Sequence, residues 1–277
     1  MITLGKKQTL RAVKQTDFGL YFAEENDPEN RILLPKKEIP ENIYVGDDLE
    51  VFVYLDSEDR PIATTTEPLL SMGEVALLRV VSVSKIGAFL SWGLPKDLFL
   101  PFKEQAYKVK EGDEVLVSLY KDKSSRLCAT MNVYHNLRTD SPYKEGDDVF
   151  GRLYEESPTY GLFVAVDDKY SALIPRKEVV GEYKMGNMVY GRVVKVREDG
   201  KLTLAVRDKS YVQMIPDGET ILELLESYGG VLPFSEKADP SVIQRETGMS
   251  KAQFKRAIGH LYKERKITIT DGVIRKA

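Results

Sequence analysis

Thr159-Tyr160-Gly161-Leu162-Phe163-Val164, Leu173-Ile174-Pro175-Arg176-Lys177-Glu178 and Met185-Gly186-Asn187-Met188-Val189 are the three parts of one block, and the block occurs three times. The first copy reads Asp17-Phe18-Gly19-Leu20-Tyr21-Phe22, Leu33-Leu34-Pro35-Lys36-Lys37-Glu38 and Val45-Gly46-Asp47-Asp48-Leu49. The second reads Lys85-Ile86-Gly87-Ala88-Phe89-Leu90, Phe99-Leu100-Pro101-Phe102-Lys103-Glu104 and Glu111-Gly112-Asp113-Glu114-Val115. In each copy the proline and the following glycine stand eleven positions apart (Pro35 to Gly46, Pro101 to Gly112, Pro175 to Gly186). Each copy closes on a basic residue and a β-type run, beginning at Arg60, Arg126 and Lys201. A fixed period of this kind marks tandem copies of one structural unit, so the repeat is read before any local propensity.

Within a copy, short β-type runs alternate with Gly/Asp turns. The third copy is clearest: runs starting at Val149, Gly161, Ser171, Met188 and Leu202 give five strands. Five strands in about 65 residues fit a small closed barrel, which leaves no sheet edge exposed. Gly19, Gly87 and Gly161 lie inside a strand pattern, which predicts a sharp bend or bulge at that point. Gly-Asp or Gly-Asn before the fourth strand is turn chemistry.

These features resemble the S1 RNA-binding domain, an OB-fold barrel, over residues 3–210 in triplicate. Pro35, Pro101 and Pro175 stand where most S1 domains carry histidine, which removes a histidine contact from the expected set. OB barrels bind single strands by stacking bases on exposed aromatics beside basic groups. The resemblance places the stacking pair on Phe18 and Tyr21, on Ile86 and Phe89, and on Tyr160 and Phe163. It places the polar turn pair on Asp56 and Arg60, on Asp122 and Arg126, and on Arg197 and Lys201. The third copy keeps both aromatics, has Arg197 in place of the turn acid, and adds Arg176, Lys177 and Arg192. It is therefore expected to be the main RNA surface, with Phe18, Tyr21, Arg60, Phe89 and Arg126 forming a secondary one.

Charge agrees with that ranking. The chain of 277 residues has a net charge of −3. Residues 1–67 carry 8 basic and 14 acidic side chains, against 10 and 8 in 68–141 and 12 and 12 in 142–212. Residues 248–277 carry eight basic and two acidic, so a polyanion is expected on the C-terminal half.

After Pro216 the pattern changes from period two to helical. Glu219–Tyr228 repeats apolar residues at helical spacing and stops at Gly229-Gly230. Asp239-Pro240 opens a second helix with an N-cap and a first-turn proline. Ser250-Lys251-Ala252-Gln253 has the form of a capping box opening a third. There Phe254, Ile258 and Leu261 share one face, while Lys251, Lys255, Arg256 and Lys263 lie away from it. Asp271-Gly272 between β-type runs signals a hairpin. Three helices and a hairpin make a winged helix, with the third helix as recognition element.

The expected architecture is thus mainly β: three tandem S1-like OB barrels (1–67; 68–141 with its linker; 142–212) and a winged-helix domain (213–277). This order resembles the conserved virulence factor B family of bacterial S1-type RNA-binding proteins. The resemblance implies a cytoplasmic protein acting on gene expression after transcription. No apolar run approaches the roughly 20 residues of a membrane span, the N-terminal sequence has no secretory pattern, and the single cysteine, Cys128, fits a structural thiol of the reducing cytosol. No Cys/His set has metal-ligand spacing, and no phosphate loop or nucleophile elbow occurs, so neither catalysis nor a cofactor is expected. Single-stranded RNA is the expected partner. Two alternatives stand beside it: duplex-DNA binding through the winged helix, and an adaptor role in which barrels 1 and 2 dock a protein. Short junctions between barrels predict beads that bend a little against one another.

Overall fold

Alternation of apolar and polar residues, broken by glycine turns, yields strands in three groups of five. The computed structural model describes residues 2–179, 183–206, 214–263, 265–270 and 273–277; the side chains of residues 214–216, 252, 256, 260 and 263 lie outside that description. The first group is β1 (Lys7–Thr16), β2 (Gly19–Glu24), β3 (Asp27–Pro35), β4 (Asp48–Leu55) and β5 (Pro61–Thr64). The second is β6 (Val75–Val83), β7 (Gly87–Ser91), β8 (Leu98–Pro101), β9 (Glu114–Lys121) and β10 (Leu127–Thr130). The third is β11 (Asp148–Ser157), β12 (Gly161–Val166), β13 (Tyr170–Pro175), β14 (Met188–Val196) and β15 (Leu202–Val206).

The first and third groups close into barrels in the same strand order, β1-β2-β3-β5-β4 and β11-β12-β13-β15-β14. Closure needs one parallel pairing, Leu33 with Ile62 in the first and Ala172 with Leu202 in the third. The middle group keeps that order as a sheet, β10-β9-β6-β7-β8, without the closing ladder. β8 and β10 are only four residues each, and Leu98, Leu100 and Ala129 close the gap by packing in a common core.

The repeated glycine does part of what its position predicts. Gly161 has φ +120, and a Cβ there would collide with the carbonyl oxygen of Ile174, so the backbones of β12 and β13 approach where only glycine fits. The bulges common to all three groups, however, lie on the first strand of each, between Ala12 and Lys14, Val80 and Ser82, and Leu153 and Glu155. β11 pairs with β14 over Asp148–Arg152 and with β12 over Gly151–Ser157. The extra residue, Tyr154, bends this long strand so that it serves both neighbours.

The barrels are not beads that bend. Phe52 and Tyr54 of β4 pack into the core of the second group, edge-on to Trp92 at 5.9 and 6.3 Å. Leu116, Val133 and Leu137 pack with Tyr154 and Ala165 of the third group. The segment between them is zipped to β13: Arg138 N–H donates to Lys169 O at 2.9 Å and Ser171 N–H to Arg138 O at 2.8 Å. Continuous apolar contact replaces the expected hinges.

Residues Met1–Ala205 form one compact unit and Val206–Ala277 another. The second contains α1 (Met214–Ser227), α2 (Pro240–Thr247), α3 (Lys251–Lys263) and a hairpin of β16 (Ile267–Thr270) and β17 (Val273–Lys276). Its core joins Ile221, Leu225, Ile243, Phe254, Ile258 and Ile274. Asp239 caps α2 by accepting the Ser241 N–H at 2.9 Å. Ser250 and Gln253 form the reciprocal capping box of α3, at 3.0 and 3.3 Å. The hairpin turn at 271–272 lies outside the described residues.

Candidate nucleic-acid interface

The β11–β12 turn and the one-turn 3-10 helix Arg176–Glu178 meet at one end of the third barrel. Tyr160 O accepts the Arg176 N–H at 3.0 Å, so the exposed Tyr160 ring (64 % accessible) and the Arg176-Lys177 pair are presented side by side. Phe163, two positions into β12, is half-buried. Its ring lies 5.5 Å from Tyr134, near-perpendicular, and 6.1 Å from Tyr154. Tyr154 is buried, and that burial pushes its phenol pKa up. Lys201 completes the group: its Nζ donates to the Tyr134 hydroxyl at 3.1 Å and lies 4.9 Å from the ring centroid. That hydrogen bond, working against burial and joined by Asp199, raises the Lys201 pKa. The ammonium stays charged through any neutral titration, as a phosphate contact requires.

Tyr134 was not expected in the site. It belongs to no repeat, being in the segment between barrels 2 and 3, and the local Tyr134-His135 pair is the only signal that could have found it (its rings stand 5.1 Å apart). It packs against the Phe163 ring in the edge-to-face arrangement that aromatic pairs favour, and its hydroxyl accepts from Lys201.

The expected basic residues separate into distinct groups. Lys177 is exposed and has no ion-pair partner among the described residues. Arg176 pairs with Glu156 at 3.3 Å. Arg197 and Lys201 both face Asp199 at 3.3 Å, so an acid two residues further on does in barrel 3 what Asp56 and Asp122 do in the others. Arg192 grips Asp148 with two hydrogen bonds of 2.9 and 3.2 Å. Asp148 begins β11 and Ser157, beside Gly161, ends it, so Arg192 lies at the opposite end of that strand from Tyr160 and is not brought to this surface.

In the secondary set, Phe18 is 77 % accessible, Tyr21 is half-buried, and Phe89 packs on Phe99 at 5.3 Å. Arg60 and Arg126 are held by Asp56 and Asp122 at 2.7 and 3.0 Å. On α3, Lys255 is exposed. Lys251 departs from expectation: its half-buried ammonium donates to the carbonyl of Ala238 at 2.9 Å, tying α3 to the segment before α2. The side chains of Arg256 and Lys263 lie outside the described residues. Among the described residues no group of His, Cys, Asp or Glu could hold a metal ion, and no helix is long and apolar enough to cross a membrane.

An aromatic face with lysines and arginines around it, on a barrel of this strand order, defines an S1-type nucleic-acid-binding protein, here with a winged helix appended. Comparisons with known proteins agree. The S1 domain model matches residues 4–66 and 72–132, and the CvfB-like winged helix domain model matches 219–275. The Bacillus subtilis uncharacterized protein YitL is 34 % identical over 97 % of this chain and 92 % of its own length. Conserved virulence factor B of Staphylococcus aureus is 29 % identical over 84 % of this chain and 81 % of its own. A Streptococcus pneumoniae structure, described as a multidomain protein with nucleic acid binding domains, is 25 % identical with a TM-score of 0.48, covering 99 % of this chain and 98 % of that one. The chain belongs to the conserved virulence factor B family. Its S1 domains support nucleic-acid binding.

Proposed function

We propose that this chain is a non-catalytic, cytoplasmic, single-stranded RNA-binding protein that acts in post-transcriptional control of gene expression. One observation carries the reading: the exposed Tyr160 ring is joined through its carbonyl to the Arg176-Lys177 turn, and Phe163, three positions on, meets Tyr134, which holds the Lys201 ammonium. Bases stack on the rings and phosphates meet the cations; each stacked base contributes about 1–3 kcal/mol. Arg197 serves the same strand once its carboxylate neighbour is displaced by phosphate. Lys255 offers a second phosphate contact on the winged helix, together with Arg256 and Lys263, and Lys251 contributes less because its half-buried ammonium is tied to the Ala238 carbonyl. We divide the chain for this purpose at 1–67, 68–141, 142–212 and 213–277.

Barrel 1 suits a protein partner better than a polyanion. It carries the −6 charge, and its Phe18 is exposed beside no free arginine, since Arg60 is held by Asp56 and Glu58. The deciding experiment is fluorescence anisotropy of the intact chain with labelled oligo-U, oligo-A and random duplex DNA across a salt series. Single-stranded RNA should bind tightest, with a log–log salt slope of about −0.7 per phosphate neutralised. Duplex DNA binding tighter than either would transfer the function to the winged helix and refute the proposal.

A further inference from the structure

The face of barrel 2 that carries Ile86 and Phe89 borders barrel 1. The β4–β5 turn of barrel 1 stands against it and encloses a cleft of about 350 Å³. Phe89 and Phe99, paired across β7 and β8, line it together with Trp92 and with Tyr54 of barrel 1. The Trp92 indole is locked in place: its Nε1–H donates to Lys96 O at 2.6 Å, and Phe52 and Tyr54 meet it edge-on. Arg126 and Lys96 stand at the lining as cations; Arg126 is paired with Asp122 at 3.0 Å, so a phosphate reaches it by displacing that carboxylate, as proposed for Arg197. The remaining polar groups are mostly acceptors. Asp59 is held toward the cleft by Lys96 Nζ at 2.8 Å, and Asp97 is exposed with no partner among the described residues.

A pocket of this size suits a small planar ligand. Aromatic walls favour a π-face, and a cation at the lining favours an adjoining phosphate. Ionised carboxylates only accept hydrogen bonds, so they select a ligand edge that donates. We propose that the cleft between barrels 1 and 2 is a base-binding subsite that seats one unstacked nucleobase bearing an exocyclic amino group, with the strand phosphate at Arg126. Adenine, cytosine and guanine meet that requirement; uracil has no amino group, and its single N3–H lies between two carbonyl oxygens that face Asp59 and Asp97 unfavourably. The proposal rests on the RNA-binding reading above and adds to it a second site and a base preference. Barrels 1 and 2 then act jointly, which neither could do alone, because the pocket has walls from both.

Trp92 is the only tryptophan of the chain, so its emission reports on this cleft alone. Hexamers of oligo-A, oligo-C and oligo-U are titrated into the full chain while Trp92 emission and the anisotropy of an end label are read together. Oligo-A and oligo-C should change Trp92 emission saturably, with a Kd for that change about tenfold below that of oligo-U, the scale of one lost hydrogen bond to a charged group. Ile86→Glu, at an exposed position of the lining, and Ser57→Phe, which fills the cleft from barrel 1, should each abolish the emission change and leave anisotropy binding in place. Tyr160→Ala/Phe163→Ala should weaken anisotropy binding and leave the emission change. Anisotropy binding with unmoved Trp92 emission for all three hexamers would overturn the subsite while leaving RNA binding intact. An equal response to oligo-U would overturn the base preference, and a response surviving both cleft variants would overturn the location. Absence of any anisotropy signal would overturn the RNA-binding reading itself and the subsite with it.

Discussion

Replacing Tyr160 by alanine separates binding from folding better than any other change in barrel 3. The ring is 64 % accessible and makes no ring contact among the described residues, so its removal leaves no cavity. An exposed turn substitution of this kind shifts stability by about 0.5 kcal/mol or less. Its main-chain N–H to Ser157 Oγ and its carbonyl to the Arg176 N–H survive in the variant. Only the stacking surface is lost. Loss of one stacked base costs about 1–3 kcal/mol, and at 1.4 kcal/mol per decade that is roughly a 5- to 150-fold rise in Kd. Because Tyr160 is neutral, the salt slope should not change, and this distinguishes it from Lys177→Ala, which should lower the slope by about 0.7. The assay is anisotropy of the intact chain with single-stranded RNA at four or five salt concentrations, with circular dichroism to establish folding. A folded Tyr160→Ala chain whose Kd stays within twofold of the parent would refute barrel 3 as the stacking platform. A change of slope without loss of affinity would refute the division of labour between rings and cations.

Other outcomes follow from the same geometry. Tyr134→Leu should weaken RNA binding although Tyr134 is half-buried, since Phe163 and Lys201 both lose their support; unaltered affinity in a folded variant would mean the pair is positioned without it. Asp199→Asn should tighten RNA binding about two- to fivefold by releasing Arg197 and Lys201 from an exposed pair, and weaker binding would show that the acid shapes the turn instead. Gly161→Ala should lower the unfolding midpoint strongly, through both positive φ and collision with Ile174 O, whereas Gly46→Ala, with φ +103 but open space, should cost only about 1–3 kcal/mol. In Asp122, the Arg126 backbone N–H acts against desolvation, with help from Ser124 N–H and the Arg126 guanidinium, to hold the carboxyl below its ordinary 3.8. A depressed folded-state value stabilises fully above the unfolded-state value and is lost as pH falls through the folded one. Acid unfolding below about pH 4 should therefore be less steep in Asp122→Asn than in the parent, as followed by circular dichroism.

The residues that recur with the repeat were legible, and those that join one repeat to the next were not. Period-two patterning and the proline-to-glycine spacing place the strands, and the capping residues place α2 and α3, because these are local signals whose physics is complete within a few positions. Tyr160, Phe163, Arg176 and Lys177 could be located by homology of position between copies. Tyr134 could not, since it comes from a segment with no counterpart, and its role depends on that segment folding back along β13. Arg192 was misplaced for a related reason. Sequence gives its strand but not which end of a bulged ten-residue β11 faces it. Lys251 matched the solvated face of α3 in spacing, yet its ammonium is tied to a carbonyl from outside the helix.

The same distinction explains why barrel 2 was expected to be only a secondary RNA surface. Taken alone it offers Ile86 and Phe89 where the other copies offer two aromatics. The proposed cleft draws further aromatic area from Phe99 on the neighbouring strand of the same block and, from outside the motif, from Trp92 and from Tyr54 across the junction. Such a surface can exist only if the junction is fixed, and the shared core of Phe52, Tyr54 and Trp92 fixes it. Truncating Phe52 to alanine is thus a stronger test of the rigid junction than any change in the short connecting segment. A Phe→Ala change at a fully buried site costs about 3–5 kcal/mol, and because the ring is buried between barrels the loss should loosen both. If Phe52→Ala left Trp92 emission and the unfolding of residues 1–130 unaltered, the two barrels would be independent beads, and no pocket with walls from both could persist.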